Sequence, residues 1–324
     1  MLARVIDPDG PRADSAPIRL EGGRQPAATA VFVPTGPGVE HRRGLWDILE
    51  ALAVYEPETR EVLVICDGPL GPISQLPASS TIPVEIIPHP RAGRGNPLYG
   101  GDCAVTIEAL RVLALDLPDL VVRLDTDALV IGRCFGRLAE FLGAHPSVGI
   151  VGAYRKGDQV VGVARAAKRL THPIALYRDP PAGHPHLLQL ALGSNSRVRT
   201  WLRRAEKAGW EAGTHCQGGS LAVSPRLLAA LQDAGLLDRP SDWLSVPLPG
   251  DVMLAALAVA LGFELADLSQ AGEPFAVEYG RLPDCPAELV ASGRCLIHSL
   301  KGDPVGRSEA ELRIFFAEGR SRQR

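Results

Sequence analysis

Lysine is scarce in this chain of 324 residues, because only four of its 34 basic residues are lysines and the rest are arginines. Together with 34 glycines and 28 prolines, this bias is typical of a gene from a GC-rich bacterium. An arginine at any one position is therefore weak evidence for bidentate binding chemistry. The net charge is −3 and the pI is near 6.3, so the sequence lacks the basic field of a nucleic-acid-binding protein.

Long apolar runs are also missing. The longest, residues 252–263, is too short for a membrane span, which takes about 20 residues. Residues 1–25 contain no apolar segment of the kind found in secretory signal peptides, and we interpret residues 1–26 as a flexible leader. We therefore expect a protein without a transmembrane anchor.

The six cysteines form neither a Cys-x-x-Cys motif nor a zinc-ligand spacing. Cys66 and Cys134 lie in or beside apolar runs, where a free cysteine behaves as a small core residue. This usage favours a reducing, cytoplasmic location.

The order of apolar segments predicts an α/β fold. Strands are expected at residues 28–34, 61–66, 84–87 and 120–124, and helices at 43–55 and 104–115. This alternation predicts a mostly parallel, Rossmann-like central sheet with helices on both faces. Ligands of such sheets bind beyond the carboxyl ends of the strands, where Pro34, Thr35, Asp67, Asp125 and Asp127 are placed.

The second half of the chain is less regular. It predicts a strand at residues 148–154, a helix at 198–209, a strand and a helix from residue 215, a helix at 252–261 and a short strand near residue 297. Residues 311–324 are expected to form a C-terminal helix and a basic tail that is disordered from residue 320 onward.

The most informative feature is the segment Leu-Asp-Thr-Asp at the end of the apolar strand 120–124. Because side chains in a strand alternate between faces, Asp125 and Asp127 should point the same way. Two carboxylates held together are costly without a cation between them, and a divalent ion holding a diphosphate is the simplest explanation. Arg123 shares their face and could instead neutralise them without a metal. A second Asp-x-Asp, at residues 7–9, lies in the unpatterned leader and is interpreted as a chance occurrence.

Four separated features resemble those of nucleotide-sugar-dependent glycosyltransferases of the GT-A fold. They are the Leu-Asp-Thr-Asp strand end, the stretch Gly218-Gly219-x-x-x-x-Ser224, Gly250-Asp251 opening a helix, and His298-x-x-Lys301-Gly302. The resemblance covers roughly residues 28–305. It implies a nucleotide-sugar-binding half at 27–150 and an acceptor-binding half at 151–310 of the same domain.

The resemblance also implies roles for individual residues. Asp125, Asp127 and His298 would bind Mn²⁺ or Mg²⁺, with Asp125 also able to reach the ribose. The nucleotide sugar would be bound by Pro34, Thr35, Asp67, Asp125 and Lys301. Independently of the resemblance, Arg94 in the Gly/Arg loop 90–101 is the candidate contact to the phosphates, although the loop lacks a Walker spacing and a plain surface loop fits it at least as well. The acceptor would contact Gln217, Gly218 and Gly219. Its identity stays open between a small molecule, a lipid carrier and a protein, whereas the favoured donor is a UDP-sugar.

Asp251 is the candidate general base of an inverting transfer, because such a reaction needs a carboxylate near the acceptor hydroxyl. An aspartate just before a helix is equally typical of an N-cap, which would leave a retaining mechanism open. The acidic residue that usually precedes this aspartate in the family is replaced here by Gly250.

Two other functions fit parts of the pattern. A sugar-1-phosphate nucleotidyltransferase has a related sheet, but enzymes of that family resemble one another in a glycine-rich, lysine-containing loop after the first strand. Residues 34–44 of this chain contain no lysine. A non-catalytic nucleotide-sugar-binding protein would lack a base or a metal ligand.

Overall fold

The computed structural model describes residues 27–36, 38–67, 82–91, 100–156, 196–246 and 248–323. The first half contains β1 (Thr29–Thr35), α1 (Val39–Tyr55), β2 (Glu61–Cys66), β3 (Val84–Pro88), α2 (Gly100–Leu113), β4 (Leu120–Leu124), β5 (Leu129–Val130), α3 (Phe135–Ala144) and β6 (Val148–Arg155). A 3₁₀ turn, Ala114–Asp116, follows α2.

The second half contains α4 (Ser196–Lys207), β7 (His215–Val223), α5 (Pro225–Asp233), α6 (Gly250–Ala260), β8 (Glu264–Asp267), β9 (Phe275–Val277), α7 (Pro286–Ala291), β10 (Leu296–His298) and α8 (Glu309–Ser321). A second 3₁₀ segment, Pro240–Ser245, lies between α5 and α6.

The central sheet has seven strands in the order β3-β2-β1-β4-β7-β6-β8. Its strands are parallel except for β7, which runs antiparallel to both β4 and β6. The predicted mostly parallel α/β sheet is therefore confirmed. The long-range insertion of β7 beside β4 joins the two halves of the chain in one sheet.

Apolar cores cover both faces of this sheet. On one face, β1 and β4 pack with α2, α4, α5 and α6; on the other, β1 and β4 pack with α1, α3, α7 and α8. The predicted stripe of α1 is buried, since Leu45, Ile48, Leu49 and Leu52 are at most 1% exposed. Burial of such side chains stabilises the fold by about 1.5–3 kcal/mol each.

A small second sheet, in the order β5-β10-β9, lies next to the end of β4. Ile297 of β10 pairs with Leu129 of β5, and His298 pairs with Val277 of β9. This sheet brings a C-terminal strand onto the segment that follows Asp127, although about 170 residues separate them in sequence.

The predicted disorder of the basic tail is wrong at its first residues. Helix α8 continues through Ser321, and Arg320 is only 3% exposed because it forms ion pairs with Asp47 and Glu50 of α1. Cys66 and Cys134 are buried free cysteines, as predicted. In the ranges that the structure describes, no helix combines the length and the apolar character that a membrane crossing requires.

Candidate active site

Asp125 and Asp127 occupy a tight turn between β4 and β5. The Ala128 amide donates to the Asp125 carbonyl at 2.8 Å, and the Asp125 amide donates to the Gly219 carbonyl of β7 at 3.0 Å. The Leu300 amide donates to the Asp127 carbonyl at 2.9 Å, so the chain after β10 is fastened to the same turn. The turn is thus held by backbone hydrogen bonds from two other elements.

Asp125, Asp127 and His298 each direct one potential ligand atom into a common space, and these atoms lie within 4.8 Å of one another. His298 Nε2 is 3.3 Å from Asp127 Oδ1. Two carboxylates and an imidazole at this separation are a donor set that can bind a divalent cation. Asp125 and Asp127 therefore face the same space.

Asp127 is surrounded by donors. Ser299 Oγ donates to its Oδ2 at 2.7 Å, and Lys301 Nζ lies 3.0 Å from the same oxygen. Burial acts to raise the pKa of Asp127, but the hydrogen bonds from His298, Ser299 and Lys301 outweigh burial and hold the pKa well below its usual range. Asp127 is therefore a carboxylate in the folded protein.

Asp125 is supported from behind by Arg123, which is 4% exposed. Arg123 Nε donates to Asp125 Oδ1 at 2.9 Å, while its NH2 and NH1 groups donate to Asp102 Oδ1 at 2.7 Å and to Thr106 Oγ1 at 3.1 Å. Burial raises the pKa of Asp125 above its usual value, against the lowering effect of Arg123. Because Arg123 also bonds Asp102, its single positive charge does not neutralise both carboxylates of the Asp-x-Asp pair.

Two adjacent glycines of β7 leave space for neighbouring side chains of the site. A Cβ atom on Gly219 would overlap the imidazole ring of His298, and one on Gly218 would lie 3.1 Å from Asp251 Oδ2. The absence of side chains at these two positions therefore lets His298 and Asp251 approach β7 closely.

Asp251 lies in the first turn of α6, is 4% exposed and is not the N-cap, since the helix begins at Gly250 after Pro249. Its Oδ2 accepts from the Gly218 amide at 2.8 Å, and its Oδ1 accepts from the Val252 amide at 2.8 Å. These bonds orient the carboxylate toward β7.

Gly250 also has a structural explanation. Its amide donates to Asp102 Oδ2 at 2.5 Å, and a Cβ at this position would lie 2.7 Å from the Asp102 carbonyl oxygen. The start of α2, with the Asp102 carboxylate, therefore occupies the space that a side chain at position 250 would need.

Three further side chains surround Asp251. The Tyr279 hydroxyl is 3.4 Å from Asp251 Oδ2 and 3.4 Å from His215 Nε2, and the Gln217 side chain hydrogen-bonds Tyr279. His215 Nε2 is 3.6 Å from Asp251 Oδ2, and its Nδ1 lies 2.8 Å from the Gly213 carbonyl. Burial and the charge of Asp251 raise the pKa of Tyr279, so its hydroxyl stays protonated at neutral pH.

The predicted nucleotide-binding residues lie at the ends of β1 and β2. Thr35 and Asp67 are buried, and the Asp67 amide donates to the Thr35 carbonyl at 3.0 Å. The Asp67 carboxylate forms an ion pair with Arg91, beyond β3. Pro34 precedes Thr35 in β1 and is partly exposed. Arg94 lies outside the described residues.

Sequence reasoning missed Asp102, Ser299 and Tyr279. Asp102 follows two glycines at the start of α2, and neither its spacing nor its neighbours mark it as a partner of Arg123. Ser299 directly follows the predicted His298, and this position in the sequence is a signal that could have identified it as a partner of Asp127. Tyr279 lies between turn residues, and only tertiary contact reveals its position at Asp251.

No protein-family model matches the chain, and a comparison with curated proteins finds no match. Solved structures similar to it include glycosyltransferases. The mannosyltransferase Ktr4p from S. cerevisiae is 12% identical, with 83% of this chain and 74% of that chain covered and a TM-score of 0.48. Core-mannan synthase A from Aspergillus fumigatus, in a Mn/GDP form, is 12% identical over 82% of this chain and 80% of that chain, with a TM-score of 0.45.

Mouse xyloside xylosyltransferase 1 is 12% identical over 83% of this chain and 95% of that chain, with a TM-score of 0.40. At these identities the likeness concerns the arrangement of elements. The role of each residue rests on the geometry of this chain.

Proposed function

We propose that this protein is a metal-dependent glycosyltransferase that moves a sugar from a nucleoside diphosphate, with UDP-sugar as the favoured donor, to an acceptor hydroxyl. The observation that carries this proposal is the convergence of Asp125, Asp127 and His298 within 4.8 Å at the carboxyl end of β4. Sites of this kind lie where parallel α/β sheets bind their ligands.

The donor set fits Mn²⁺ or Mg²⁺. Carboxylate oxygens suit these ions, and the low pKa of Asp127 keeps that ligand deprotonated. His298 Nδ1 is buried and is among the side-chain nitrogens without a hydrogen-bond partner in the described residues, so its ring is not saturated by protein contacts. A divalent ion bound by Asp125, Asp127 and His298 would act as a Lewis acid toward the diphosphate leaving group.

Lys301 would add positive charge for the phosphates. Its side chain is 63% exposed, and its ammonium group contacts Asp127 at the end of a flexible stem. The ammonium group can therefore turn toward a ligand at a small cost in free energy. Thr35, Pro34 and Asp67, at the neighbouring strand ends, would bind the nucleoside, together with Arg94.

Asp251 would act as the general base of an inverting transfer. The acceptor oxygen forms a bond to the anomeric carbon while its proton passes to the Asp251 carboxylate, and the bond from that carbon to the diphosphate oxygen breaks with its electron pair. The amides of Gly218 and Val252 hold Asp251 in place, and Gln217, Gly218 and Gly219 would border the acceptor.

The test is a calorimetric titration with UDP, GDP and dTDP, each with and without Mn²⁺, on the wild type and Asp127→Asn. We expect Mn²⁺-dependent binding of one nucleotide and a loss of at least about tenfold in the variant, since a metal ligand is removed. Asp284→Asn, an exposed aspartate outside the site, is the matched control and should bind as the wild type does.

The absence of nucleotide binding under all conditions would overturn the proposal. Slow Mn²⁺-dependent hydrolysis of the bound nucleotide sugar would separate an enzyme from a non-catalytic binding protein. Loss of this hydrolysis and of transfer in Asp251→Asn, with nucleotide binding retained, would support its role as base.

A further inference from the structure

Tyr279 combines an exposed ring with a hydroxyl anchored in the site. The residue follows β9 and is 60% exposed, yet its hydroxyl lies 3.4 Å from Asp251 Oδ2, an atom of a residue that is only 4% exposed. Glu278, its neighbour, donates its amide to the His298 carbonyl at 2.8 Å. The Tyr279 hydroxyl is therefore at the candidate general base, and the adjoining backbone is bonded to the strand that carries a candidate metal ligand.

A single exposed aromatic side chain is common and needs no function. Tyr279 differs because its polar end is directed inward. His215 Nε2, 3.4 Å away, and the Gln217 side chain bond the same hydroxyl, and both residues are 1% exposed. A phenol held by three buried side chains loses little further conformational entropy when a ligand packs against its ring.

Gln217 provides a second, independent observation. Its Oε1 atom is buried and is among the oxygens without a hydrogen-bond partner in the described residues, as is Ser220 Oγ on the same strand. A buried acceptor without a donor is unfavourable, and a donor from a bound ligand would remove that cost. The amide oxygen that lacks a donor belongs to the side chain that binds the Tyr279 hydroxyl.

We propose that the acceptor is itself a saccharide, whose pyranose ring packs on the face of Tyr279 and whose hydroxyl donates to Gln217 Oε1. This inference rests on the proposed function and names its acceptor class. The C–H groups on one face of a pyranose carry partial positive charge and complement the negative face of an aromatic ring. An acyclic alcohol offers no such face and would leave the exposed ring uncovered.

The experiment measures sugar transfer with the donor identified by titration, using methyl glycosides of glucose, mannose and galactose as probes. Glycerol and N-acetylserine amide are the acyclic comparisons. We expect at least one glycoside to be used with a kcat/KM about tenfold or more above both acyclic alcohols, which corresponds to about 1.4 kcal/mol of additional binding from the stacked ring and the Gln217 hydrogen bond.

Tyr279→Ala should raise the KM for that glycoside about tenfold and leave the KM for the donor unchanged, because only the ring is lost to the acceptor. Tyr279→Phe keeps the ring and should stay within about threefold of the wild type. Gln217→Leu should raise the acceptor KM by a similar factor, since it removes the amide acceptor. Leu115→Ala, which removes a side chain 76% exposed before the opposite end of β4, is the control and should change neither KM.

Failure of this inference differs from failure of the proposed function. Donor hydrolysis without glycoside use, preference for an acyclic alcohol, or an unchanged acceptor KM in Tyr279→Ala would each overturn the saccharide acceptor and leave the donor site intact. Retained nucleotide binding shows that a variant is folded. A wild type that binds no nucleotide removes both proposals.

Discussion

At the scale of single residues, the site depends on positions where a side chain is absent. Gly219 and Gly250 each border a functional carboxylate or imidazole so closely that a methyl group has no room. The sequence alone suggested that Gly218-Gly219 contacts an acceptor, whereas the structure shows what the pair does for the protein itself. It allows His298 and Asp251 to reach β7.

Gly219→Ala should therefore displace His298 and weaken Mn²⁺ binding by about tenfold or more, as loss of ligand orientation does in other metal sites. Gly143→Ala is the matched control, because a Cβ at Gly143 meets no atom within 4 Å and Gly143 lies in helix α3. That variant should retain metal binding and gain about 0.5–1 kcal/mol of stability. Equal Mn²⁺ affinity for both variants, measured by titration with nucleotide present, would contradict the role assigned to Gly219.

Arg123 is the second residue on which the site depends. It is buried and bonds Asp125, Asp102 and Thr106, so its removal leaves two carboxylates without their cation. Arg123→Met should lower the free energy of unfolding by about 3–5 kcal/mol. Arg123→Met in an Asp102→Asn background should cost less, because one of the two unpaired charges is then absent. Urea denaturation of the four proteins measures this coupling, and simple additivity of the two changes would argue against a shared network.

At the scale of elements, the start of α3 depends on a residue from another helix. Helix α3, which follows β5, begins without a capping side chain of its own, because its N-cap is Cys134. Glu56, from the end of α1, takes that role: its Oε1 accepts from the Cys134 and Phe135 amides at 2.5 and 2.9 Å. A capping residue that is distant in sequence cannot be read from local pattern.

Glu56→Ala should lower the free energy of unfolding by about 0.5–2 kcal/mol through loss of this cap, and Glu56→Gln, which keeps the oxygen, should lower it less. Burial raises the pKa of Glu56 above its usual 4.5, against the lowering effect of the two amides. The folded state therefore binds this proton more readily than the unfolded chain, and the contribution of Glu56 to stability falls as pH rises through the raised pKa.

Urea titrations at several pH values between 7 and the usual 4.5 of a glutamate check the sign. Wild type should gain stability relative to Glu56→Gln as the pH falls, because only the wild type takes up the proton. A difference that is constant with pH, or one that moves the other way, would contradict the raised pKa.

The elements also show how far sequence reasoning reaches. The strands 61–66 and 120–124 and the helices 43–55 and 252–261 were predictable because apolar periodicity is a local property. The position of β7 between β4 and β6 was not, since strand order depends on contacts across about 100 residues. The resemblance grouped Asp125, Asp127 and His298, which the structure places within 4.8 Å of one another, whereas Asp102 and Tyr279 are joined to them by tertiary contacts alone.

At the scale of the whole molecule, the C-terminal helix supports the Asp-x-Asp turn from the far end of the chain. Arg313 of α8 is 3% exposed; its NH2 group donates to the Thr126 carbonyl at 3.0 Å, and its NH1 group donates to Asp47 of α1 at 2.7 Å. Thr126 is the residue between the two carboxylates of the Asp-x-Asp turn, and its hydroxyl lies 2.8 Å from His41 Nδ1. One guanidinium thus connects α8, α1 and the turn.

Arg313→Met should lower the free energy of unfolding by about 1–3 kcal/mol, because the Thr126 carbonyl loses its buried donor while Asp47 keeps its ion pair with Arg320. If the guanidinium also holds the turn, the variant should bind Mn²⁺ more weakly at temperatures where it remains fully folded. Arg322→Gln, at the exposed C-cap of the same helix, is the matched control and should change neither quantity. Urea denaturation gives the stability and nucleotide-linked Mn²⁺ titration gives the affinity. A variant that loses stability but keeps its Mn²⁺ affinity would show that α8 supports the fold alone, since the turn would then keep its geometry without Arg313.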